Sequence, residues 1–525
     1  SRSTKTKDIM QDPMWESLGP NTSSGGYWGL GRVNTVVANP NNTNILWAGS
    51  AGGGLWKSTN RGETWFSDTD ELLNLGVTDI AINPANTDIM YIATGDHVGW
   101  IGGYSIGLLK SVDGGITWNT TGLNFTQAEV VTISRILINP LSPNTLIVST
   151  NNGIWRSIDA GNNWTQVQTD GSFIDLKFKP NDFSYVYAGT RNGAFYRSSN
   201  NGVDWTQITA GLPTENAGRV GIAVAPSQTN YVYVIFANNS GGSLGVYRSI
   251  DSGLNFELRS NSPNLLNSTF FGTGDSGQGW YDLCIAVEPD DAETVIVGGV
   301  NFWKSENGGA NWSRITYWYS GTGTPGVHAD QHYIFSISDT DTLYVGNDGG
   351  VYRTPNFGTD WEWIGNDMAI TQFYRIGVSA TNPELILAGA QDNSSWAVND
   401  GNWVELETTG DGMEQLVNYE DSDILYTSSY NGNVARSTNG GNSFSDWLYS
   451  NKVGGESGDW ITPYTQDPIN PNIFYAGFQN VWKSTNSGSD WFAISNGFPG
   501  NTITILELCP TNPNYIYAGT GNWLR

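Results

Sequence analysis

The chain has 525 residues, of which 38% are hydrophobic and only 14% charged, and it contains 65 glycines and 23 tryptophans. Its 50 acidic residues against 24 basic ones give a net charge of −26, which argues against nucleic acid or an anionic membrane surface as partner. Two cysteines are too few for a disulfide framework, and no apolar run reaches the roughly 20 residues of a membrane span.

A four-strand pattern repeats along the chain from residue 33 onward. In each unit an apolar strand ends near Asn-Pro, and a second strand ends in Ala-Gly or Ala-Thr. A third strand leads into a nine-residue turn, and an aromatic residue begins the fourth strand. Units begin near residues 33, 77, 133, 174, 220, 282, 332, 373, 413, 460 and 502. A period of roughly 40 to 55 residues predicts an all-β fold, a β-propeller of four-stranded blades, over residues 14–525 after a tail at 1–13.

The turn is a nonapeptide, first seen as KSTNRGETW from Lys57 to Trp65, and it occurs nine times. An Asp or Asn at its fourth position can accept bonds from backbone N–H groups, and a Gly at its sixth can adopt a positive φ. The closing aromatic residue can pack across neighbouring sheets. The predicted structural residues at the fourth position are Asn60, Asp113, Asp159, Asn200, Asp251, Asn307, Asn356, Asn439 and Asn486.

The two ends of the repeat suggest how the propeller closes. The eleventh unit ends after its third strand, while residues 14–20 (MWESLGP) resemble a fourth strand without a blade. We therefore predict one ring of ten or eleven blades in which residues 14–20 complete the last blade, because closure removes exposed sheet edges. The alternative is a seven-bladed ring followed by part of a second.

Insertions interrupt the period at residues 96–105, 261–281, 317–327 and 450–459, and in repeat proteins such insertions usually share one face. Aromatic residues beside them can stack on sugars or anchor a protein partner. Arginines at the starts of first strands can reach the propeller axis. The candidate ligand-binding residues are Trp28, Trp100, Trp280, Tyr281, Trp460, Arg32 and Arg375.

Two sets of residues could carry chemistry. Asp282, Asp411 and Glu414 precede innermost strands, where paired carboxylates could serve glycoside hydrolysis as acid and base. In the sequence HADQH, residues 328–332, an extended strand would place His328, Asp330 and His332 on one face, where they could bind a divalent metal. The alternative for this second set is that its members hydrogen-bond neighbouring loops.

Several stretches together resemble a known family: LGRVNTVVANP, GGGLWKSTNRGETW, GQGWYDL, VHADQH, GNDGGVYRT, TQFYRIG, AGAQDNSSW and GDGMEQ. They are similar to secreted or surface-attached Asp-box (BNR) propeller proteins of Bacteroidetes, distantly sortilin-like and xyloglucanase-like. The resemblance implies a secreted or cell-surface location and export by the type IX secretion machinery of the outer membrane. Xyloglucanases of this type carry a catalytic Asp after the first unit's second strand, where this chain has Ser50 and Ala51. Their mechanism is therefore not carried over directly.

The sequence favours a secreted or cell-surface recognition module that binds a glycan or a partner protein on the insertion face, rather than an enzyme. The alternative class is a glycoside hydrolase that acts on a polysaccharide through Asp282, Asp411 and Glu414. A third alternative is a structural domain that displays or spaces other parts of a larger surface protein. The sequence indicates no cofactor other than the divalent metal considered at His328, Asp330 and His332.

Overall fold

The computed structural model describes residues 17–67, 69–98, 103–319, 323–337, 340–406, 410–497, 501–521 and 523–524. Over these residues the chain folds into eleven antiparallel sheets, ten with four strands and one with three. The helical segments there are short 3-10 turns at Gln127–Glu129, Tyr430–Gly432 and Ser450–Val453. None of the described helices has the length and apolar character needed to cross a membrane. The prediction of an all-β propeller built from four-stranded blades is confirmed.

Each sheet uses consecutive strands in sequence order, so every blade is a meander of short antiparallel hairpins. The first four sheets contain β1 Val33–Asn39, β2 Asn42–Ser50, β3 Leu55–Ser58, β4 Phe66–Ser67; β5 Val77–Ile82, β6 Met90–Thr94, β7 Gly107–Ser111, β8 Asn119–Asn124; β9 Ile133–Ile138, β10 Leu146–Thr150, β11 Gly153–Ser157, β12 Thr165–Gln168; and β13 Phe173–Lys179, β14 Asp182–Thr190, β15 Phe195–Ser198, β16 Thr206–Ile208.

The next three sheets continue the same arrangement. They contain β17 Ala217–Val224, β18 Val232–Asn238, β19 Ser243–Ser249, β20 Glu257–Ser260; β21 Cys284–Val287, β22 Val295–Gly298, β23 Phe302–Ser305, β24 Ser313–Arg314; and β25 Gln331–Ser336, β26 Leu343–Asn347, β27 Gly350–Thr354, β28 Glu362–Trp363.

Four further sheets follow. They contain β29 Phe373–Val378, β30 Ile386–Ala390, β31 Ser395–Asn399, β32 Asn402–Leu406; β33 Gln415–Val417, β34 Leu425–Ser429, β35 Asn433–Ser437, β36 Ser445–Leu448; β37 Tyr464–Gln466, β38 Phe474–Gly477, β39 Val481–Ser484, β40 Phe492–Ala493; and β41 Ile505–Leu508, β42 Ile516–Thr520, β43 Trp523–Leu524.

The nonapeptide forms the turn between the third and fourth strands of a sheet. In its second copy the Ser111 hydroxyl donates to Asp113 Oδ1 at 2.7 Å, and the backbone N–H of Thr117 donates to the same oxygen at 2.9 Å. Gly115 adopts a φ of 89° between them, a conformation that favours glycine. At the other eight copies an Asp or Asn oxygen accepts the equivalent bond from the backbone N–H four residues on. The motif therefore fixes a hairpin at the outer edge of each sheet that carries it.

The innermost strands show how the sheets are arranged. Strand β1 contacts β5 on one side and β25 and β26 on the other, and the contacts continue from β5 through β9, β13, β17 and β21 to β25. Val33 and Val36 of the first sheet share a buried core with Tyr344 and Val351 of the seventh. The first seven sheets thus form a closed ring. This differs from the predicted single ring of ten or eleven blades and matches the alternative of a seven-bladed ring followed by part of a second. The reason is that sheet seven packs against β1 and buries its apolar residues, so no further sheet is needed there.

Sheets eight to eleven form a separate series, which we call the second series. Strand β29 contacts β33, and β37 contacts β41, so these sheets also pack in sequence order. The second series meets the ring through a shared core in which Ala390 and Trp396 of sheet eight pack with Leu30 and Met368. The groove between ring and second series is therefore formed by residues distant in sequence.

The N-terminal segment, residues 17–31, spans this junction. The carbonyl of Leu18 accepts a bond from the indole of Trp403, and the Ser23 hydroxyl donates to Glu405 Oε1 at 2.7 Å, both on sheet eight. At its other end the N–H of Leu30 donates to the carbonyl of Gly349 on the ring, at 2.7 Å. Residues 17–20 do not form a strand and lie against sheet eight rather than sheet eleven. The predicted closing strand at 14–20 is therefore not found in its described part; residues 14–16 lie outside the described residues.

Candidate functional site

A cavity of about 130 Å³ lies where the ring, the second series and the N-terminal segment meet. Asp330 comes from the ring, directly before β25, whereas Asp392 follows β30 and Asp411 precedes β33 in the second series. The cavity is lined by Tyr27, Trp318, His328, Ala329, Asp330, Asp392, Gly410, Asp411 and Tyr430. Three carboxyl groups and three aromatic rings therefore converge on one concave site.

Asp392 and Asp411 form a carboxyl pair on the side of the second series. The backbone N–H of Asp392 donates to Asp411 Oδ1, and the two side-chain carboxyl groups share a further hydrogen bond. Burial, together with the charges of Asp348 and Asp411, raises the pKa of Asp392 well above its ordinary value. Burial also raises the pKa of Asp411, but the two bonds from Asp392 oppose this shift. The pKa of Asp392 is therefore raised the further of the two, and Asp411 is the member of the pair that ionises first.

Asp282 and Asp330 form a second carboxyl pair on the side of the ring. Asp282 has 0% exposure, and no N–H or hydroxyl group of another described residue donates to either of its carboxylate oxygens. Burial and the nearby charges of Asp282 and Asp348 raise the pKa of Asp330 well above its ordinary value, and burial likewise raises the pKa of Asp282 well above its own. The amide of Gln278 donates to Asp330 Oδ1 at 3.0 Å. Asp330 thus lines the cavity as a carboxyl group whose ionised form is disfavoured.

Arg219 supplies the positive charge behind this pair. Its guanidinium donates to the carbonyls of Tyr281 at 2.5 Å and Leu283 at 3.1 Å, which flank Asp282 in the chain. Burial raises the pKa of Asp282, and the charge of Arg219 opposes that shift. Asp282 itself is fully buried and does not line the cavity, and its predicted catalytic role stays a prediction.

The predicted metal site does not form. Asp330 has a φ of 69°, so the stretch is not extended there and β25 begins only at Gln331. His332 Nε2 bonds Asp348 Oδ1 at 2.6 Å, while the ring nitrogens of His328 face the carbonyls of Ala329 and Asp392 at 3.3 and 3.2 Å. Among the described residues no group of three or more His, Cys, Asp or Glu side chains could hold a metal ion. The alternative prediction, hydrogen bonding to neighbouring loops, describes both histidines.

Arg32 and Tyr281, two predicted ligand-binding residues, belong to a buried network behind the cavity. Arg32 forms an ion pair with Asp96 and donates to the hydroxyl of Tyr281 at 3.2 Å. That hydroxyl donates in turn to Asp348 Oδ2 at 2.7 Å. Burial raises the pKa of Asp348, but His332, Arg32 and the Tyr281 hydroxyl together hold it below its ordinary value. The polar atoms of Arg32 and Tyr281 therefore serve the structure of the site rather than a ligand.

The remaining predicted ligand-binding residues differ in where they lie relative to the cavity. Trp460 stacks on the cavity residue Tyr430, with ring centroids 5.1 Å apart and planes within 7°, and is 47% exposed. Trp28 packs edge-on against Tyr27, with a centroid distance of 5.1 Å. Trp280 is 54% exposed but does not line the cavity. Trp100 lies outside the described residues.

Glu414 and Arg375 pair with each other rather than with the cavity. Their side chains form an ion pair of 3.4 Å on the second series. Burial raises the pKa of Glu414, and Arg375 opposes that shift. Neither residue lines the cavity, so the predicted pairing of Glu414 with Asp411 across a cleft is not found.

Among the lining side chains, Tyr430 was not singled out by the sequence, whereas Trp318 was noted as an aromatic beside an insertion and Asp392 as a carboxylate in a place comparable to that of Asp411. Trp318 lies in the insertion at 317–327, and that insertion was the available signal. Asp392 follows a second strand in the motif AGAQDN, and a carboxylate at that strand exit was a weaker signal. Nothing in the local sequence distinguishes Tyr430 from other tyrosines.

Comparisons with known proteins relate the chain to two groups. Residues 72–256 match the family described as "Photosynthesis system II assembly factor YCF48". A xyloglucanase of Acetivibrio thermocellus is 23% identical over 434 residues, which cover 74% of this chain and 49% of that protein. A xyloglucanase of a Paenibacillus species is also 23% identical, over 74% of this chain and 40% of its own length. The chain thus spans about half the length, or less, of these curated relatives.

Solved structures agree on the fold. An ancestral GH74 enzyme superposes with a TM-score of 0.66 at 16% identity, over 96% of this chain and 75% of that one. The GH74 xyloglucanase of Xanthomonas campestris superposes with a TM-score of 0.54 at 15% identity, over 95% of this chain and 87% of that one. The chain is therefore a β-propeller that is similar over residues 72–256 to the YCF48 family and, at low identity, to GH74 xyloglucanases in sequence and fold.

Proposed function

We propose that the protein is a glycoside hydrolase that cleaves a β-glucan backbone such as that of xyloglucan, with Asp330 as general acid and Asp411 as the opposing carboxylate. One observation carries this proposal: Asp330 of the ring lines the same cavity as Asp392 and Asp411 of the second series, and burial raises the pKa of Asp330 well above its ordinary value, whereas bonds from Asp392 oppose the rise at Asp411. Pairs of titratable groups whose surroundings separate their pKa values are the usual source of acid and base roles. The similarity to xyloglucanases supports the substrate class.

The two carboxyl groups divide the reaction between them. Asp330 donates its proton to the glycosidic oxygen as the bond to the anomeric carbon breaks, while Asp411, ionised, assists attack on the opposite face of the sugar. Asp392 donates its carboxyl proton to Asp411 and orients it. Tyr27, Trp318 and Tyr430 offer aromatic faces for the sugar rings, and Trp460 extends the Tyr430 surface outward.

Ser50 stands where the xyloglucanase resemblance would place a catalytic Asp. Its hydroxyl accepts a bond from the N–H of Gly53 at 2.6 Å, and the residue is buried at the end of β2. It therefore supplies no acid, and we assign that role to Asp330, which enters the cavity from sheet seven instead. Secretion to the cell surface stays a prediction beside this proposal.

The recognition module favoured by the sequence is less well supported than the hydrolase. A binding site for glycan needs aromatic faces but has no need for two buried carboxyl pairs, which cost free energy to desolvate. The curated relatives that match most of the chain are also named for hydrolysis. No feature of the cavity supports the binding of a protein partner or a display role.

The test is release of reducing sugars from xyloglucan, mixed-linkage β-glucan and carboxymethyl cellulose. Asp330→Asn and Asp411→Asn should each lower kcat by at least roughly 100-fold, the usual contribution of a general acid or base. Asp400→Asn, on an exposed turn of sheet eight, is the matched control and should keep wild-type rates. Retention of the polysaccharides without any release, or unchanged rates in both cavity variants, would refute the proposal.

A further inference from the structure

We propose that Gln278 is a positioning residue that fixes the orientation of the Asp330 carboxyl group and so aligns it for donation of its proton to the leaving oxygen. This inference rests on the proposed function. Gln278 does not line the cavity and reaches it through its contact with Asp330. The insertion at residues 261–281, which carries Gln278, thus serves the site from behind.

One hydrogen bond joins the two residues. The side-chain amide of Gln278 donates from Nε2 to Asp330 Oδ1 at 3.0 Å, across 52 positions of the chain. The backbone of Asp330 has a φ of 69° directly before β25, but the terminal torsion of an aspartate side chain is broad, so the backbone alone does not orient the carboxyl group. Among the described residues, no other N–H group donates to this carboxyl. The Gln278 amide is therefore the contact that sets its rotation.

The backbone around Gln278 is itself held tightly. The N–H of Gln278 donates to the carbonyl of Leu266 at 3.1 Å, and the N–H of Gly279 donates to the carbonyl of Gly241 at 2.8 Å. A Cβ at Gly277 would stand 2.2 Å from the Leu266 carbonyl oxygen, and a Cβ at Gly279 would stand 2.4 Å from Leu266 Cδ1. Both neighbours of Gln278 are therefore packed too closely to shift, which gives its amide a fixed origin.

An amide suits this position because it orients the carboxyl group without adding a charge. The carboxyl groups of Asp282, Asp348 and Asp392 all disfavour ionisation of Asp330. A lysine or arginine in place of Gln278 would offset them and hold Asp330 as a carboxylate, which has no proton to give. A neutral N–H donor favours the ionised form less strongly than a cation does, so Asp330 keeps its acid character.

Xyloglucan hydrolysis by Gln278→Met tests the inference. Methionine keeps the unbranched length of glutamine but donates no hydrogen bond, so the Asp330 carboxyl should rotate more freely; kcat should fall roughly 10- to 100-fold while KM stays within about twofold. The control is Gln207→Met, the same substitution at an exposed position of β16, and it should leave both constants unchanged. An unchanged kcat in folded Gln278→Met would overturn the inference.

Gln278→Glu separates positioning from a merely structural role. The introduced carboxyl group has the shape of the amide but can donate to Asp330 Oδ1 only when it carries a proton. Relative to wild type at the same pH, its kcat should be low near neutral pH and recover at least roughly fivefold as pH falls through the titration of the introduced group. Gln278→Met should show no such recovery, and an equal loss in both variants at every pH would overturn the inference.

The other charges near Asp330 are common to wild type and both variants, so a difference between the profiles reports the bond to Oδ1. These groups are Asp282, Asp348, Asp392 and Tyr281, with Arg219, Arg32 and His332 behind them.

Infrared titration tests the contact without any hydrolysis. The protonated-carboxyl band that Asp330→Asn removes from the wild-type spectrum identifies Asp330. Because the lost donor favours the ionised form, this band should persist to a pH about one unit higher in Gln278→Met. A band that titrates identically in both proteins would refute the inference even if no polysaccharide is cleaved. If wild type cleaves no xyloglucan but the band moves as expected, the proposed function fails while the orientation of Asp330 by Gln278 stands.

Discussion

Gly346 lies at the seam where sheet seven of the ring meets sheet one, and its substitution tests whether the ring closes there. A Cβ at this position would stand 2.6 Å from the carbonyl oxygen of Val33 and 3.0 Å from Val33 Cγ1. The backbone of Gly346 is not in the left-handed region, so Gly346→Ala adds a steric clash without backbone strain. Because a strand carbonyl cannot swing aside as a flexible side chain can, the two sheets must separate slightly.

The expected cost is that of an overpacked core, about 1–3 kcal/mol. For a ring of this size it corresponds to a fall in Tm of roughly 1–4 °C. Differential scanning calorimetry of Gly346→Ala against wild type measures it, with Gly52→Ala as the matched control, since an added Cβ at Gly52 meets only the Gln372 amide at 3.9 Å. If Gly346→Ala unfolds at the same temperature as the control, the seven-sheet closure is wrong and a larger ring would have to be reconsidered.

Three other outcomes follow from the structure. Trp460→Ala should raise KM for xyloglucan about 3- to 10-fold with little change in kcat, because it removes an aromatic stacking surface worth about 0.5–1.5 kcal/mol; a drop in kcat alone would contradict this. Hydrogen bonds in the nonapeptide turns lower the pKa of Asp113, Asp159 and Asp251 to about 2, so their stabilisation is present above the unfolded-state pKa and is lost as pH falls through the folded one. The triple Asp→Asn variant should therefore lose less stability than wild type between pH 4 and pH 2 in urea titrations, and parallel curves would count against the assignment. Glu405→Gln should weaken the bonds from Ser23 and Ser24 and increase hydrogen exchange in residues 17–31 but not in the ring; unchanged exchange would mean that other contacts hold the segment.

The repeated turn made the strands and their sheets predictable, because its hydrogen bonds are local and its period is regular. The number of sheets per ring was not predictable in the same way. Neighbouring sheets pack through similar apolar strands whichever ring they belong to, so periodicity cannot say that β1 meets β25 rather than β41. That decision depends on the fit of particular residues, such as the carbonyl of Val33 against Gly346.

The candidate site was also only partly predictable from the sequence. Asp411 and Asp330 were both singled out from the sequence, but Asp330 was assigned to a metal because its stretch was taken to be extended. The positive φ of Asp330 interrupts that stretch before β25, and a backbone change at a single residue is not visible in a residue pattern. The cavity wall also joins Tyr27 to Gly410 across 383 positions, and no local signal connects them.

The N-terminal segment has a consequence for biosynthesis. Ser23 is translated 382 positions before its acceptor Glu405. At about 5–20 residues per second the ribosome needs roughly 20–80 s to cover that interval. The seven sheets of the ring can fold during this time and can bind Leu30 through Gly349, whereas Leu18 and Ser23 have no partner from sheet eight until that sheet has been made. The emerging protein therefore carries a finished ring well before it carries a finished cavity, whose wall forms only when Tyr27 meets Gly410.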